Sequence, residues 1–274
     1  MTDQDQIDIV RKHYDENPQM EWDRLERHPF EFILTTYMME KYVRPGDTIL
    51  DIGGGPGRYS IHFAKQGCAV TLAELSEGSV TFAKAKAAEA GVTIQTHAVN
   101  CLKLDSLGLG QFDHVFLMGP LYHLSEEADR IKAVEIALRH LKPGGKLYVS
   151  FILGFAGMIY YMQNPGVMVD DLAVPINAGY PDAVAAGKDF LNPAGFTLSY
   201  FYHQRNVVPF MERFPLKNLH YFGQEGILAP HYKDILSRGQ TEIDKWIELA
   251  KQYLEVPELL SWSEHAMYIG EKSD

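Results

Sequence analysis

The segment Asp51-Ile52-Gly53-Gly54-Gly55-Pro56-Gly57 is the part of the chain best suited to chemistry. It follows a short apolar run at 48–51 and leads into a helical pattern at 59–66. A backbone turn holds a nucleotide-like ligand in this strand–turn–helix context. Glycines let a ligand touch the main chain and permit φ angles that side chains resist. The spacing departs from the dinucleotide fingerprint GxGxxG, because the third glycine counted from Gly53 and Gly55 would fall on Arg58. An acidic residue ahead of the glycines also repels a pyrophosphate. It suits a ligand with an ammonium group and no phosphate.

The pattern Asp-x-Gly-x-Gly-x-Gly resembles motif I of the class I S-adenosylmethionine-dependent methyltransferases. The resemblance continues at Glu74-Leu75 after the second strand, at Asn100-Cys101 after the third, and at Met118-Gly119 after the fourth. It implies that Glu74 accepts hydrogen bonds from both ribose hydroxyls, since a carboxylate offers two oxygens to a vicinal diol. Glu stands where the family more often has Asp. The resemblance further implies that Asn100 accepts from the adenine amino group and that the Cys101 N–H meets the ring. Met118 and Gly119 would then hold the methionine part through the backbone. The expected cofactor set is Tyr14, Asp51, Gly53, Gly54, Gly55, Gly57, Glu74, Leu75, Asn100, Cys101, Met118 and Gly119. Gly-Pro-Leu-Tyr-His-Leu at 119–124 and the stretch 21–32 look like one bacterial branch of small-molecule-type methyltransferases. The likeness covers about residues 10–152. Gly223-Gln224-Glu225-Gly226 and the strand at His265 share it with less specificity.

What the resemblance implies is S-adenosyl-L-methionine as methyl donor and S-adenosyl-L-homocysteine as product, with in-line SN2 transfer to a small-molecule acceptor. Such a transfer needs a nucleophile roughly 3 Å from the methyl carbon in a dry site. A general base is needed only when the acceptor is protonated. His123 and Tyr122 are the first candidates, because they follow the fourth strand at the carboxyl edge of the sheet. Tyr202 and His203 come next as acceptor-side residues, with Glu21, Arg24, His28 and Glu31 lining the acceptor pocket.

Each has a plainer reading. Tyr14 could be a packed aromatic, Asn100 a turn former, and His123 a hydrogen-bonded loop histidine. The charges at 21–31 could be a solvated helical face with i,i+3 and i,i+4 pairs. Eleven histidines raise the question of a metal. No HExxH-like pair occurs, so no metal is expected. Met158, Met162 and Met168 near Tyr160 and Tyr161 read as packing or as an apolar lid over an organic acceptor.

These residues need a scaffold. Apolar runs at 48–51, 69–73, 93–98, 112–118 and 146–152 alternate with helical stretches at 59–66, 77–90 and 125–141. That alternation predicts a parallel sheet with right-handed crossovers. Two further strands are expected at 217–224 and 265–270. The expected fold is a doubly wound, seven-stranded, mostly parallel α/β sheet of the Rossmann-like methyltransferase type. It divides into an N-terminal helical segment (1–45) over the site, a cofactor-binding core (46–153), a cap or lid inserted after strand five (154–216), and the closing strands with intervening helices (217–274).

The 274 residues suffice for such a domain and cap. A formal net charge of −11 argues against a long nucleic-acid footprint and against attraction to anionic membranes. Two cysteines, Cys68 and Cys101, fit a reducing cytoplasm. The N-terminus has no apolar signal segment. The run at 151–162 is shorter than the ~20 residues a bilayer requires. Three rivals remain: an RNA or protein methyltransferase with a basic rim, an NAD-binding oxidoreductase, and a non-catalytic cofactor-binding protein whose cap blocks the acceptor side.

Overall fold

The computed structural model describes residues 3–175, 177–192 and 198–273. Residues 176 and 193–197 of the expected cap lie outside it. Three helices open the chain: α1 (Asp3–Glu16), α2 (Pro18–Arg27) and α3 (Pro29–Met39). Prolines at the first turns of α2 and α3 cost nothing there, because those N–H groups have no helical partner. They mark the breaks expected at Asn17-Pro18 and His28-Pro29. The core then alternates as β1 (Thr48–Ile52), α4 (Arg58–Lys65), β2 (Ala69–Glu74), α5 (Glu77–Glu89), β3 (Gln95–Ala98), β4 (Phe112–Leu117), α6 (Glu127–Arg139) and β5 (Leu141–Leu153). Helices α7 (Ala156–Gln163), α8 (Met168–Ala173) and α9 (Tyr180–Ala185) follow. They lead to a hairpin of β6 (Phe190–Asn192) and β7 (Ser199–Tyr202), then α10 (Gln204–Met211). The chain closes with β8 (Leu216–Gly223), α11 (Tyr232–Leu236), α12 (Gln240–Tyr253) and β9 (His265–Lys272).

The strands β3-β2-β1-β4-β5 are parallel. β9 runs antiparallel along β5, and β8 antiparallel along β9. These seven strands form the expected sheet, but among the described residues the sheet has nine. The hairpin β6–β7 adds two, through Phe201 and Tyr202 beside Ile152 and Leu153. A strand has two hydrogen-bonding edges, and β9 takes one edge of β5 from Lys146 to Ile152. The pairing of β5 with β4 reaches only to Val149. The last residues of β5 therefore offer a free edge above β4, and the hairpin occupies it.

Both faces of the sheet are buried, as a parallel sheet requires. Leu50, Val115 and Leu117 pack with Val134 of α6 and Phe210 of α10. The alternate residues Ile49 and Phe116 pack on the other face with Leu34 of α3, Ile61 and Phe63 of α4, and Ala83 of α5. The N-terminal helices are pinned to this frame. Asp15 accepts hydrogen bonds from the Ser76 hydroxyl (2.7 Å) and the Gly78 N–H (3.0 Å), where the N-terminus of α5 favours a carboxylate. Arg58 lies over the Trp22 ring at 4.6 Å and pairs with Glu26 at 2.9 Å. No helix among the described residues is long and apolar enough to cross a membrane.

Candidate active site

The carboxyl ends of β1, β2 and β4 meet beneath α1 and α2 around one cavity. Gly53, Gly54, Gly55, Glu74, Leu75, Asn100, Cys101, Met118 and Gly119 border it, together with Tyr14 and Asp51. The glycines have different reasons to be there. A Cβ on Gly55 (φ +54°) would meet nothing within 4 Å, so this residue faces open space. A Cβ on Gly54 would lie 2.3 Å from Leu72 Cδ1 and 2.5 Å from Asp51 Oδ2. The Gly54 requirement is internal packing, not ligand approach. Gly57 does not border the cavity. A Cβ there would lie 3.0 Å from the Ala83 Cβ on α5. Gly54→Ala is expected to cost about 1–3 kcal/mol of stability through overpacking, readable by urea denaturation. An unchanged midpoint would mean that the loop tolerates the methyl group.

Glu74 is buried at the tip of β2 and aimed into the bend. Its Oε2 accepts the Gly55 N–H at 3.0 Å and its Oε1 the Ser76 N–H at 2.9 Å. Burial raises its pKa, while the N–H groups of Ser76, Gly55 and Leu75 oppose that rise. Asp51 accepts from the Ser60 hydroxyl at 2.7 Å. Burial, with Glu74 nearby, pushes it up to about 7. Asn100 caps a 3₁₀ turn at Cys101–Leu107 by accepting the Leu102 N–H at 2.8 Å. The cavity wall and the turn cap thus use the same residue. Burial pushes the Cys101 thiol up to about 12, so it stays protonated. The backbones of the two loops touch: a Cβ on Gly119 would lie 2.9 Å from the Gly53 carbonyl oxygen.

His123 and the Tyr14 hydroxyl share a 3.0 Å hydrogen bond that fastens α1 to the turn after β4. Burial lowers the His123 pKa to about 3, which leaves a weak base. Tyr122 donates to the Met118 carbonyl at 3.3 Å, and burial raises its pKa. A second chamber of about 660 Å³ adjoins the first, and Tyr14, Glu21, Arg24, Glu31, Tyr122 and His265 border both. Its far walls include Ile152, Tyr160, Tyr161, Tyr180 and Phe201. His28 borders this outer chamber, with its ring 4.6 Å from that of Tyr232. Arg24 bridges Glu21 (2.8 Å) and the buried Glu31 (2.7 Å).

Tyr202 and His203 border neither chamber, contrary to the sequence expectation. Side chains alternate along a strand. Phe201 therefore faces the outer chamber, while Tyr202 packs against Phe151 and Phe210 at ring distances of 4.9 and 5.6 Å. His203 caps α10, its Nδ1 accepting the Arg205 N–H at 3.3 Å.

The arrangement missed from sequence is the joining of Glu225 to His265. Their side chains meet at 2.6 Å. Ser150 donates to the side-chain oxygen of Gln224, the residue before Glu225, at 2.8 Å. The Gly-Gln-Glu-Gly stretch was the available signal, but it names no partner. Glu31, Glu225 and His265 bring potential ligand atoms within 4.8 Å of one another. Burial works against a charged His265, yet Glu225 and Glu31 outweigh it and push its pKa up to about 9. Each member already has a partner: Arg24 holds Glu31, and Glu225 pairs with His265. The set is an ion-pair network.

Residues 49–145 match the family model of a methyltransferase domain. The chain is 29% identical over 135 residues to a ubiquinone biosynthesis O-methyltransferase of Pseudomonas paraeruginosa, covering 48% of this chain and 57% of that one. The chain thus spans little more than half the length of that relative. Among solved structures, its fold is shared by the 1,6-didemethyltoxoflavin-N1-methyltransferase of Burkholderia thailandensis, with TM-score 0.61 and 15% identity over 100% of this chain and 92% of that one. It is also shared by the magnesium protoporphyrin IX methyltransferase of Synechocystis, with TM-score 0.58 and 14% identity over 98% and 100%. The glycine bend, the Glu74 carboxylate aimed into it and the carboxyl ends of the strands beneath both lie within residues 49–145, the stretch that matches the methyltransferase-domain model.

Proposed function

We propose that this chain transfers a methyl group from S-adenosylmethionine to a small organic acceptor and releases S-adenosylhomocysteine. One observation carries the reading: Glu74 is anchored at the mouth of the bend, one oxygen on the Gly55 N–H, beside a glycine face open to a ligand. The Gly55 and Ser76 N–H groups each occupy a different Glu74 oxygen, and a carboxylate has about four lone-pair sites, which leaves capacity for ribose hydroxyls. Asn100 and Cys101 would hold the adenine end. Gly53, Met118 and Gly119 would hold the amino-acid end, with Asp51 beneath it. When bound, the cofactor supplies a methyl carbon already activated by its sulfonium. What remains for the protein is positioning and exclusion of water, which can supply on the order of 7–11 kcal/mol. The Tyr14–His123 bond closes α1 over the cavity. The residues bordering both chambers define the path between methyl donor and acceptor.

The chamber under α7 and α9 supports a small acceptor with an aromatic or otherwise apolar body. Its charged border carries Glu21, Glu31, Asp171 and Glu264 as well as Arg24 and Arg27, which is not the basic rim of an RNA reader. An open acceptor chamber also weighs against a pure cofactor sensor. The N-terminal segment, core, cap and closing strands act in this reading as roof, cradle, acceptor wall and floor. The test is a thermal-shift titration with S-adenosylhomocysteine and, separately, NADH. At a hundredfold excess over Kd, S-adenosylhomocysteine should raise the midpoint by roughly 5–10 °C, and NADH should leave it unchanged. The opposite pattern, or no response to either, sinks the reading.

A further inference from the structure

The turn after β8 carries Glu225 back to the start of β9. There its carboxylate is immobilised on all sides. Oε1 meets His265 Nδ1 at 2.6 Å, and Oε2 accepts from the Ser263 hydroxyl at 2.6 Å and the His265 N–H at 3.0 Å. The Ser263 oxygen in turn accepts the N–H groups of Glu225 and Gly226 at 2.9 and 3.1 Å. A carboxylate held this way fixes the imidazole ring and keeps a proton on Nδ1. Nε2 has no hydrogen-bond partner among the described residues, and the ring borders both chambers. The other groups on that border are committed: Arg24 to Glu21 and Glu31, Tyr14 to His123, Tyr122 to the Met118 carbonyl.

We propose that His265, oriented by Glu225, takes the proton of an aromatic hydroxyl acceptor, so that the methylated atom is an oxygen. This rests on the methyl-transfer reading above. As pH rises toward about 9, where His265 becomes neutral, the acceptor O–H proton passes to its Nε2. An oxygen lone pair forms the O–C bond as the C–S bond breaks, and that bond's electrons remain on sulfur as a thioether. The imidazolium then returns its proton to water through the outer chamber.

Three features favour this acceptor. The walls at Tyr160, Tyr161, Tyr180 and Phe201 suit a flat ring. A phenol is a poor nucleophile until it loses its proton, whereas a neutral amine needs no base before attack. The charges facing the ring stabilise the protonated product: Glu225 from the β8 turn and Glu31 from α3, opposed by Arg24 from α2. Glu264 stands next to His265 in the chain, and burial beside Glu225 raises its pKa to about 7. A base tuned to about 9 is well matched to a phenol near 10.

The test uses 4-nitrophenol, whose phenolate is coloured, bound to the full chain saturated with S-adenosylhomocysteine. In the wild type, the bound phenol should ionise about one pH unit lower than in water, a tenfold change in its acid constant. His265→Asn should abolish the shift, and Glu225→Gln should reduce it. S-adenosylhomocysteine binding in each variant serves as the control for folding. If His265→Asn does not fold, Glu225→Gln decides. An unshifted phenol in the wild type, failure of the wild type to bind it, or a shift that survives in the variants overturns the proposal. All three leave the cofactor reading standing. Failure of the wild type to bind S-adenosylhomocysteine removes both.

Discussion

Glu74→Ala should weaken S-adenosylhomocysteine binding roughly 100-fold. Two hydrogen bonds to a charged acceptor, each taken at the low end of about 1.5–3 kcal/mol, amount to about 3 kcal/mol, or two factors of ten. The carboxylate is already oriented before any ligand arrives, by the N–H groups of Gly55 and Ser76. No ordering cost offsets the loss in the variant. Glu74→Gln keeps one acceptor oxygen and should lose roughly tenfold. Calorimetric titration reads both. The alanine variant also orphans two N–H donors, so its unfolding free energy should fall by about 1–3 kcal/mol. Wild-type affinity in Glu74→Ala would mean that the second acidic landmark does not touch the ligand.

Asp51→Asn should stabilise the unliganded protein at pH 8 and leave it nearly unchanged at pH 4. Asp51 is 2% exposed, and its folded-state pKa is raised from 3.8 to about 7, first by burial and then by Glu74. Between those values the folded state holds a proton that the unfolded chain has released. Stability therefore falls as pH rises from about 4 to about 7 and levels off above. A rise of about three units at 1.36 kcal/mol each sets a ceiling of ~4 kcal/mol. Asn keeps an oxygen for the Ser60 hydroxyl and carries no charge, so it escapes the penalty. Urea denaturation at the two pH values reads the difference. An equal gap at both would mean that Asp51 is not a strained carboxylate. The chain retains this cost at the edge of the cavity, where a ligand ammonium group would offset it. The same variant should therefore bind a cationic ligand less well, trading function for stability.

Much of the frame was legible because it depends on local rules. Pro18 and Pro29 mark helix starts, alternating runs separate strands from helices, and Gly53–Gly57 follows a strand. Each signal lies within a few residues of the structure it specifies. The reasons behind the glycines were less legible. Gly54 and Gly57 meet Leu72, Asp51 and Ala83, all reached only after the chain has folded back. The count of strands was short by two because the β6–β7 hairpin depends on the unequal lengths of β4 and β5. His123 looked like a base in the sequence, but the dielectric of its surroundings is set by α1, more than a hundred residues earlier.

The amino-acid order by itself determined the α/β alternation, the glycine-rich bend and the carboxylate that follows it, since these need only neighbours along the chain. Folding decided which side chains share a wall. Strand pairing turns Phe201 inward and Tyr202 away, and the antiparallel seating of β9 between β5 and β8 brings Glu225 against His265. That contact links positions far apart in sequence, and hydrogen bonding between them exists only once the sheet edge has closed.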